Sequence, residues 1–207
     1  MRILTSLVAG FAAVLMLSAC QKTSSSAVTA EDMSLGNANA PVTMIEYASV
    51  SCPHCADWNN NVFPAFKAKY IDTGKVHYIA REALTSDPAI AAAGFLTARC
   101  AGKDNYFKVT EAIYRSQQQM FSGQPHDVLL NIARAVGMTD AQFETCIKDE
   151  AAQNALNARW QRYMNDDHIN ATPTFVINGK YYDHGEMTMQ QIDQAVAEAA
   201  AQGKSGS

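Results

Sequence analysis

Two thiols, Cys52 and Cys55, bracket a proline and a histidine in the run Cys52-Pro53-His54-Cys55. At the start of a helix this spacing lets the sulfurs close a disulfide and puts the first of them in the positive end of the helix dipole. Pro53 fits the first helical position, where a missing N–H costs nothing. Only the first sulfur faces solvent in such a geometry. Cys52 is therefore expected as the exposed nucleophile and Cys55 as the buried partner that resolves a mixed disulfide. His54 is expected to donate a hydrogen bond to the Cys52 sulfur, the alternative being an exposed helix residue without a role. A zinc site needs a second close pair of thiols, which Cys100 and Cys146 do not supply, so no metal is expected. A structural bridge is the other reading of Cys52 and Cys55. If the helix amides and His54 lower the Cys52 pKa from about 8.5 to about 4, the reduced form gains about 4 kcal/mol at pH 7, or about 90 mV of oxidising power.

The elements that must position these groups can be read on either side of the motif. Val42 to Ala48 is a short, mostly apolar, β-rich run and is expected as a buried strand leading into the motif. A helix follows to Tyr70, bent near Pro64, with Gly74 ending it. Lys75 to Ala80 alternates as a second strand, which completes a βαβ unit with parallel strands. Four amphipathic stretches, about 88–101, 104–118, 125–136 and 140–163, then form a helical subdomain; Thr139 with Gln142 makes a capping box for the last. Strand character returns at Thr174 to Ile177, turns at Asn178-Gly179, and continues through Lys180 to Tyr182 as a hairpin. Thr188 with Gln191 caps a final helix to about Ala201.

A Cys-x-x-Cys pair beside a βαβ unit is a thioredoxin-like redox motif. Leu35-Gly36, Ala40-Pro41-Val42, Glu46, Cys52-Pro53-His54-Cys55 and Ala171-Thr172-Pro173-Thr174-Phe175 through Asn178-Gly179 resemble the DsbA family of thiol–disulfide oxidoreductases, over roughly 34–200. The resemblance implies an α/β thioredoxin-like fold interrupted by an all-helical insertion, in agreement with the pass above. The expected divisions are 40–84 with 168–201 for the thioredoxin-like part, 85–167 for the insertion and a disordered tail at 202–207. It also implies that Pro173 is cis, lies against the active-site disulfide and, with Thr172, contacts substrate. Glu46 stands where the family carries an acid beneath the active site; burial should raise its pKa and let it relay a proton to or from Cys55. The alternative is an acid that reaches solvent or pairs with a lysine. The best-known enterobacterial members have valine where Thr172 stands, and disulfide isomerases commonly have threonine, so the direction of electron flow is open. No cofactor is implied.

Cys100 and Cys146 fall on separate helices of the insertion, and a structural bridge between them is the economical use of the remaining thiols. A second redox pair is the alternative. His77, His126, His168 and His184 have no ligand-like spacing.

The chain of 207 residues is 48% hydrophobic and 17% charged, with a formal charge of −4. That composition buries a core without help from disulfides and gives no basic field for nucleic acid. Residues 1–19 read as an export signal. The apolar run Ile3 to Leu17 spans about 22 Å as a helix, short of the ~30 Å hydrocarbon core. Leu17-Ser18-Ala19-Cys20 resembles a bacterial lipobox, which makes Cys20 an acylated mature N-terminus and residues 20–39 a flexible tether. The expectation is a monomeric, lipid-anchored periplasmic enzyme of a Gram-negative bacterium. It would pass the Cys52–Cys55 disulfide to unfolded or cysteine-containing exported proteins and be reoxidised by a DsbB-type membrane oxidant. A reductase or isomerase is the first alternative, and a non-enzymatic thiol-based binding lipoprotein the second.

Overall fold

The computed structural model describes residues 28–204. The expected signal segment, Cys20 and the first part of the tether lie outside the described residues. A five-stranded sheet has the order β1-β3-β2-β4-β5, with β1 Met33–Leu35, β2 Val42–Ala48, β3 Val76–Glu82, β4 Thr174–Ile177 and β5 Lys180–Tyr182. β2 and β3 run parallel, Met44 opposite Tyr78 and Glu46 opposite Ala80, as the βαβ reading requires. β4 is antiparallel to β2, setting Phe175 beside Glu46.

Side chains alternate across a strand, and β2 uses both faces. Val42 and Met44 join an aromatic core with Trp58, Phe63, Phe66, Tyr78 and Phe175. Ile45 and Tyr47 enter a second core with Phe95, Leu96, Ile113, Phe143 and Leu156 of the insertion. The aromatic face carries α1 (Pro53–Asn61), α2 (Phe63–Phe66) and, after β5, α9 (Met189–Lys204). The bend expected near Pro64 is a break after Asn61 followed by a π-helical turn at Lys67–Ile71. Thr188 and Gln191 exchange backbone N–H bonds ahead of α9, and that helix carries on past the tail expected to begin at 202.

The insertion consists of α3 (Pro88–Cys100), α4 (Lys103–Arg115), α5 (Gln117–Phe121), α6 (Pro125–Ala135), α7 (Asp140–Ile147) and α8 (Glu150–Asn165). The single helix expected over 140–163 is two, because Asp149 accepts from the N–H groups of Ala151 and Ala152 and caps a new start. The capping box of Thr139 and Gln142 opens α7. Close packing against the thioredoxin-like part relies on Gly94, where a Cβ would stand 2.8 Å from Cγ2 of Val50. Val50 leads directly into the cysteine motif, so α3 backs the active-site loop without an intervening side chain.

Two consecutive residues at the end of β3 hold the parts together. Arg81 pairs with Asp167 after α8 and with Asp32 before β1, at 3.0 and 3.1 Å. Glu82 pairs with Arg99 of α3 and Arg159 of α8, at 2.6 and 2.9 Å. The tether expected to run through residue 39 is thus docked from Asp32: Met33 is buried and β1 pairs antiparallel with β3. Its apolar residues Met33 and Leu35 are too few to show a period, and the ion pair behind them spans distant segments. Cys100 and Cys146 are joined across α3 and α7 with Cα atoms 6.3 Å apart. Among the described residues no helix is long and apolar enough to cross a membrane.

Candidate active site

Pro53 opens α1, and Cys52 is its N-cap in extended backbone, so the Cys52 sulfur lies where the first helical N–H groups point. Both cysteines stand as free thiols. Cys52 is 5% exposed and Cys55 is fully buried. The expected ranking of the two is present, but Cys52 is not open to solvent. The Thr172–Pro173 segment covers it: the peptide between these residues is cis, and the Cys52 sulfur is 3.5 Å from the Thr172 carbonyl oxygen.

The Cys52 thiol is pulled down to about 5, first by a hydrogen bond from the Cys55 thiol. Burial works against this shift, while the Thr172 side chain and the backbone N–H groups of Cys55 and His54 add to it. Cys55 is pushed well above the ordinary thiol range, chiefly by burial. One sulfur is therefore a stable thiolate at neutral pH and the other a thiol, the division that an exchange reaction needs.

His54 does not reach the sulfur with its ring. Its Nδ1 lies 2.7 Å from Oε1 of Glu186, 132 residues later, and residue 54 assists Cys52 through its backbone N–H. An imidazole at the second position of a helix projects outward, where the β5–α9 loop offers a carboxylate.

Glu46 is 1% exposed on the aromatic face of the sheet. Tyr78 donates its hydroxyl to Glu46 Oε2 in a short hydrogen bond, and Asn59 donates to Oε1 at 3.0 Å. The same Asn59 amide donates to the Cys55 carbonyl, also at 3.0 Å, so it links the acid to the buried cysteine. Among the described residues no lysine pairs with Glu46. Burial pushes the Glu46 carboxyl up to about 7, with these hydrogen bonds opposing. A hollow of about 20 Å³, enough for one water, lies between Glu46, Asn59, Tyr78, Thr110, Tyr114 and the surface residue Glu111.

The Glu46 shift has a signed consequence. Its folded pKa lies above the ordinary 4.5, so any stability tied to its protonation is fully present below 4.5 and is lost as pH rises through 7. Relative to the wild type, Glu46→Gln is expected to gain about 2 to 3 kcal/mol between pH 4.5 and pH 8 in the reduced protein. Urea denaturation at the two pH values measures it, and parallel curves for the two proteins would assign Glu46 an ordinary carboxyl.

Several residues of the site carry no local sequence signal. Gln117 of α5 donates its side-chain amide to the carbonyls of Val50 and Cys52, at 2.9 and 3.0 Å, and fixes the active-site turn from the insertion. Ser51 donates to the Thr85 carbonyl at 2.7 Å, Ser49 N–H points at the Cys55 sulfur at 3.5 Å, and the hydroxyls of Thr85 and Thr172 are 2.7 Å apart. Only the pairing of serines at 49 and 51 just before the motif hints at this polar turn. His126 lies on the surface between Asp127 and Glu144, away from the motif. Among the described residues no three metal-ligating side chains converge.

A family model described as thioredoxin matches residues 28–198. A Rickettsia bellii protein named as a protein-disulfide oxidoreductase is 31% identical over 172 residues, covering 81% of this chain and 66% of that protein, so the chain spans just under two thirds of that relative. The crystal structure of Wolbachia pipientis alpha-DsbA1 superposes with a TM-score of 0.79 at 27% identity, covering 89% of this chain and 99% of that one. A protein-disulfide isomerase from Novosphingobium aromaticivorans has a TM-score of 0.70 at 21% identity over 81% of this chain and 97% of that one, and shares the fold. With a cysteine pair on the first turn of α1, a cis proline against it and a helical insertion between β3 and β4, the chain belongs to the thioredoxin family, in its DsbA-like branch.

Proposed function

We propose that the protein is a thiol–disulfide oxidoreductase that works as a dithiol oxidase on exported proteins. The observation that carries this reading is the split between Cys52, held as a thiolate down to about pH 5, and Cys55, held as a thiol. A substrate thiolate attacks the Cys52 sulfur of the disulfide; the S–S electron pair leaves on Cys55, which takes up a proton. A second substrate thiolate then attacks the substrate sulfur of the mixed disulfide, and Cys52 departs as thiolate. Two electrons pass from substrate to enzyme. In this reading Glu46, whose carboxyl is pushed up to about 7 by burial and whose charge is felt by the Cys55 thiol, supplies the Cys55 proton, and Asn59, which donates to both Glu46 and the Cys55 carbonyl, holds the acid in position. Thr172 and Pro173 lie against Cys52 and line up the incoming chain. Reoxidation falls to a membrane oxidant of the DsbB type, the partner that the family resemblance implies.

The test is transfer of one disulfide equivalent from the oxidised protein to a reduced, unfolded protein with two cysteines. Transfer in the opposite direction, from dithiol enzyme to a substrate disulfide at equilibrium, would favour a reductase or isomerase. The second reading rests on the family resemblance, in which disulfide isomerases commonly carry threonine where Thr172 stands; the stabilisation that Thr172 adds to the Cys52 thiolate itself works toward the oxidase.

The location follows from Leu17-Ser18-Ala19-Cys20: lipidation at Cys20 holds the domain at the periplasmic face of a membrane. Cys20→Ala is expected to move the protein from the membrane to the soluble fraction on fractionation of the native host. A wild-type protein found soluble would remove the anchor from this reading and leave the chemistry intact.

A further inference from the structure

The loop between β5 and α9 is fastened to one face of α1 at two points. His54 Nδ1 meets Glu186 Oε1 at 2.7 Å. Trp58 donates its indole N–H to the carbonyl of Met187, the next residue, at 2.9 Å. Positions 54 and 58 lie one turn apart on a common face of the helix. The second attachment is rigid, because Trp58 is fully buried against Phe63, Phe66 and Phe175 and Met187 is buried with it. It delivers the adjacent carboxylate to His54 at a fixed place. The first attachment is at the rim, with side chains 76% and 29% exposed for His54 and Glu186.

We propose that Glu186 is a positioning residue for thiol–disulfide exchange: by binding His54 Nδ1 it keeps the imidazole cationic beside the active-site turn, so that His54 acts on the Cys52 sulfur through its field and not through a hydrogen bond. The inference rests on the oxidoreductase reading of the Cys52–Cys55 pair. The charged groups facing His54 are Cys52 and Asp57 on its own helix and Glu186 from the loop. Glu186 is the one in contact, and it raises the His54 pKa first, with the Cys52 charge adding to it. Coupling between two sites is reciprocal, so an imidazolium favoured by the thiolate in turn favours the thiolate. Without Glu186 an exposed histidine with a pKa near 6.5 is only about one quarter charged at pH 7. The bridge also depends on the redox state. Formation of the Cys52–Cys55 disulfide removes the thiolate charge and leaves Glu186, in contact, and Asp57, further off, as the anions acting on His54.

The sign of one substitution separates this role from a structural one. Glu186→Gln removes a negative charge from the neighbourhood of Cys52, which by direct Coulomb interaction favours the thiolate; acting through His54, the same change disfavours it. Near pH 5, where Cys52 titrates, His54 is cationic with or without Glu186, so the measurement is the equilibrium of Cys52–Cys55 with glutathione at pH 7.5, in the full chain and at low salt. Glu186→Gln alone is expected to lower the equilibrium constant for reduction of the disulfide about threefold. Placed on His54→Ala it is expected to leave that constant unchanged or to raise it, and Glu186→Asp is expected to recover most of the wild-type value. An equal decrease in both backgrounds, or no decrease in the presence of His54, would overturn the proposal.

Should the variants disturb the loop, the wild type provides a second measurement. NMR titration of His54 is expected to give a higher pKa in the reduced than in the oxidised protein, and identical values in the two states would also overturn it. Neither outcome depends on disulfide transfer to a protein substrate. A wild type that holds the cycle but oxidises no substrate sinks the functional reading alone, and a competent oxidase without the cycle sinks only the role of Glu186.

Discussion

Replacing Cys52 with alanine is expected to abolish disulfide transfer to a reduced, unfolded substrate and to leave no covalent adduct. Cys55→Ala is expected to abolish transfer as well, yet to accumulate an adduct. The asymmetry follows from burial and charge. Cys52 is the sulfur nearer the surface and the one held as thiolate, so in Cys55→Ala it still attacks a disulfide offered to it. With no thiol behind it, the mixed disulfide has no internal route to resolution. Non-reducing gels after mixing with an oxidised small-molecule disulfide or a substrate protein read both outcomes. An adduct on Cys52→Ala, formed through Cys55, would mean that the two sulfurs have exchanged roles and that the cover supplied by Thr172–Pro173 protects the wrong one.

The second large effect concerns stability. The Cys100–Cys146 bridge closes a separation of 46 residues and ties α3 to α7. In the chain-entropy view a loop of that size is worth about 4 kcal/mol. The double variant Cys100→Ala/Cys146→Ala is therefore expected to lose about that much in denaturant unfolding, with the Cys52 titration unchanged. Reduction of Cys52–Cys55 is favoured by the thiolate it releases on Cys52, so the Cys100–Cys146 bridge, although Cys100 is exposed, is also expected to survive a mild reductant that has already opened Cys52–Cys55. Thiol mapping that finds Cys100 and Cys146 free first, or a shift of Cys52 in the double variant, would make this bridge a second redox element.

What could be read before any coordinates were known is what the chain encodes locally. The strand into the motif, the proline at the first turn of α1, the Asn178-Gly179 turn and the two capping boxes each lie within a few residues, where propensity and side-chain chemistry act directly. Asp149 has no signature in sequence, because an aspartate inside an amphipathic run looks like a solvated face, and only the fold shows its side chain capping two N–H groups. Glu46 is legible from its position in an apolar strand and from family resemblance. Its partners Tyr78 and Asn59 come from a neighbouring strand and a facing helix, and neither has a pattern of its own. The partner of His54 is hidden for the same reason: the Cys52 sulfur is two residues away in sequence, and Glu186 is 132 residues away. Gln117, Arg81 and Asp32 do their work between segments that meet only in the folded chain. A polar residue with a long-range role reads, in sequence, like any other surface residue.

The most direct test of the oxidase reading is the equilibrium of Cys52–Cys55 with reduced and oxidised glutathione, taken as a function of pH. A thiol lowered from 9.0 to about 5 stabilises the reduced form by about 2.7 kcal/mol at pH 7, which makes the disulfide about 60 mV more oxidising than an unperturbed pair. That is smaller than the pKa of about 4 expected from the motif would supply, because burial of Cys52 under the cis-proline segment opposes the helix and Cys55 donors. The folded pKa is the depressed one, so the stabilisation is complete above pH 9, declines through neutrality and vanishes as pH falls through 5. An oxidising potential that weakens toward pH 5 in this way is the expected result, together with a reduced protein more stable than the oxidised one at pH 7. A pair that glutathione leaves oxidised, with Cys52 titrating near 8, would contradict the assignment as an oxidase.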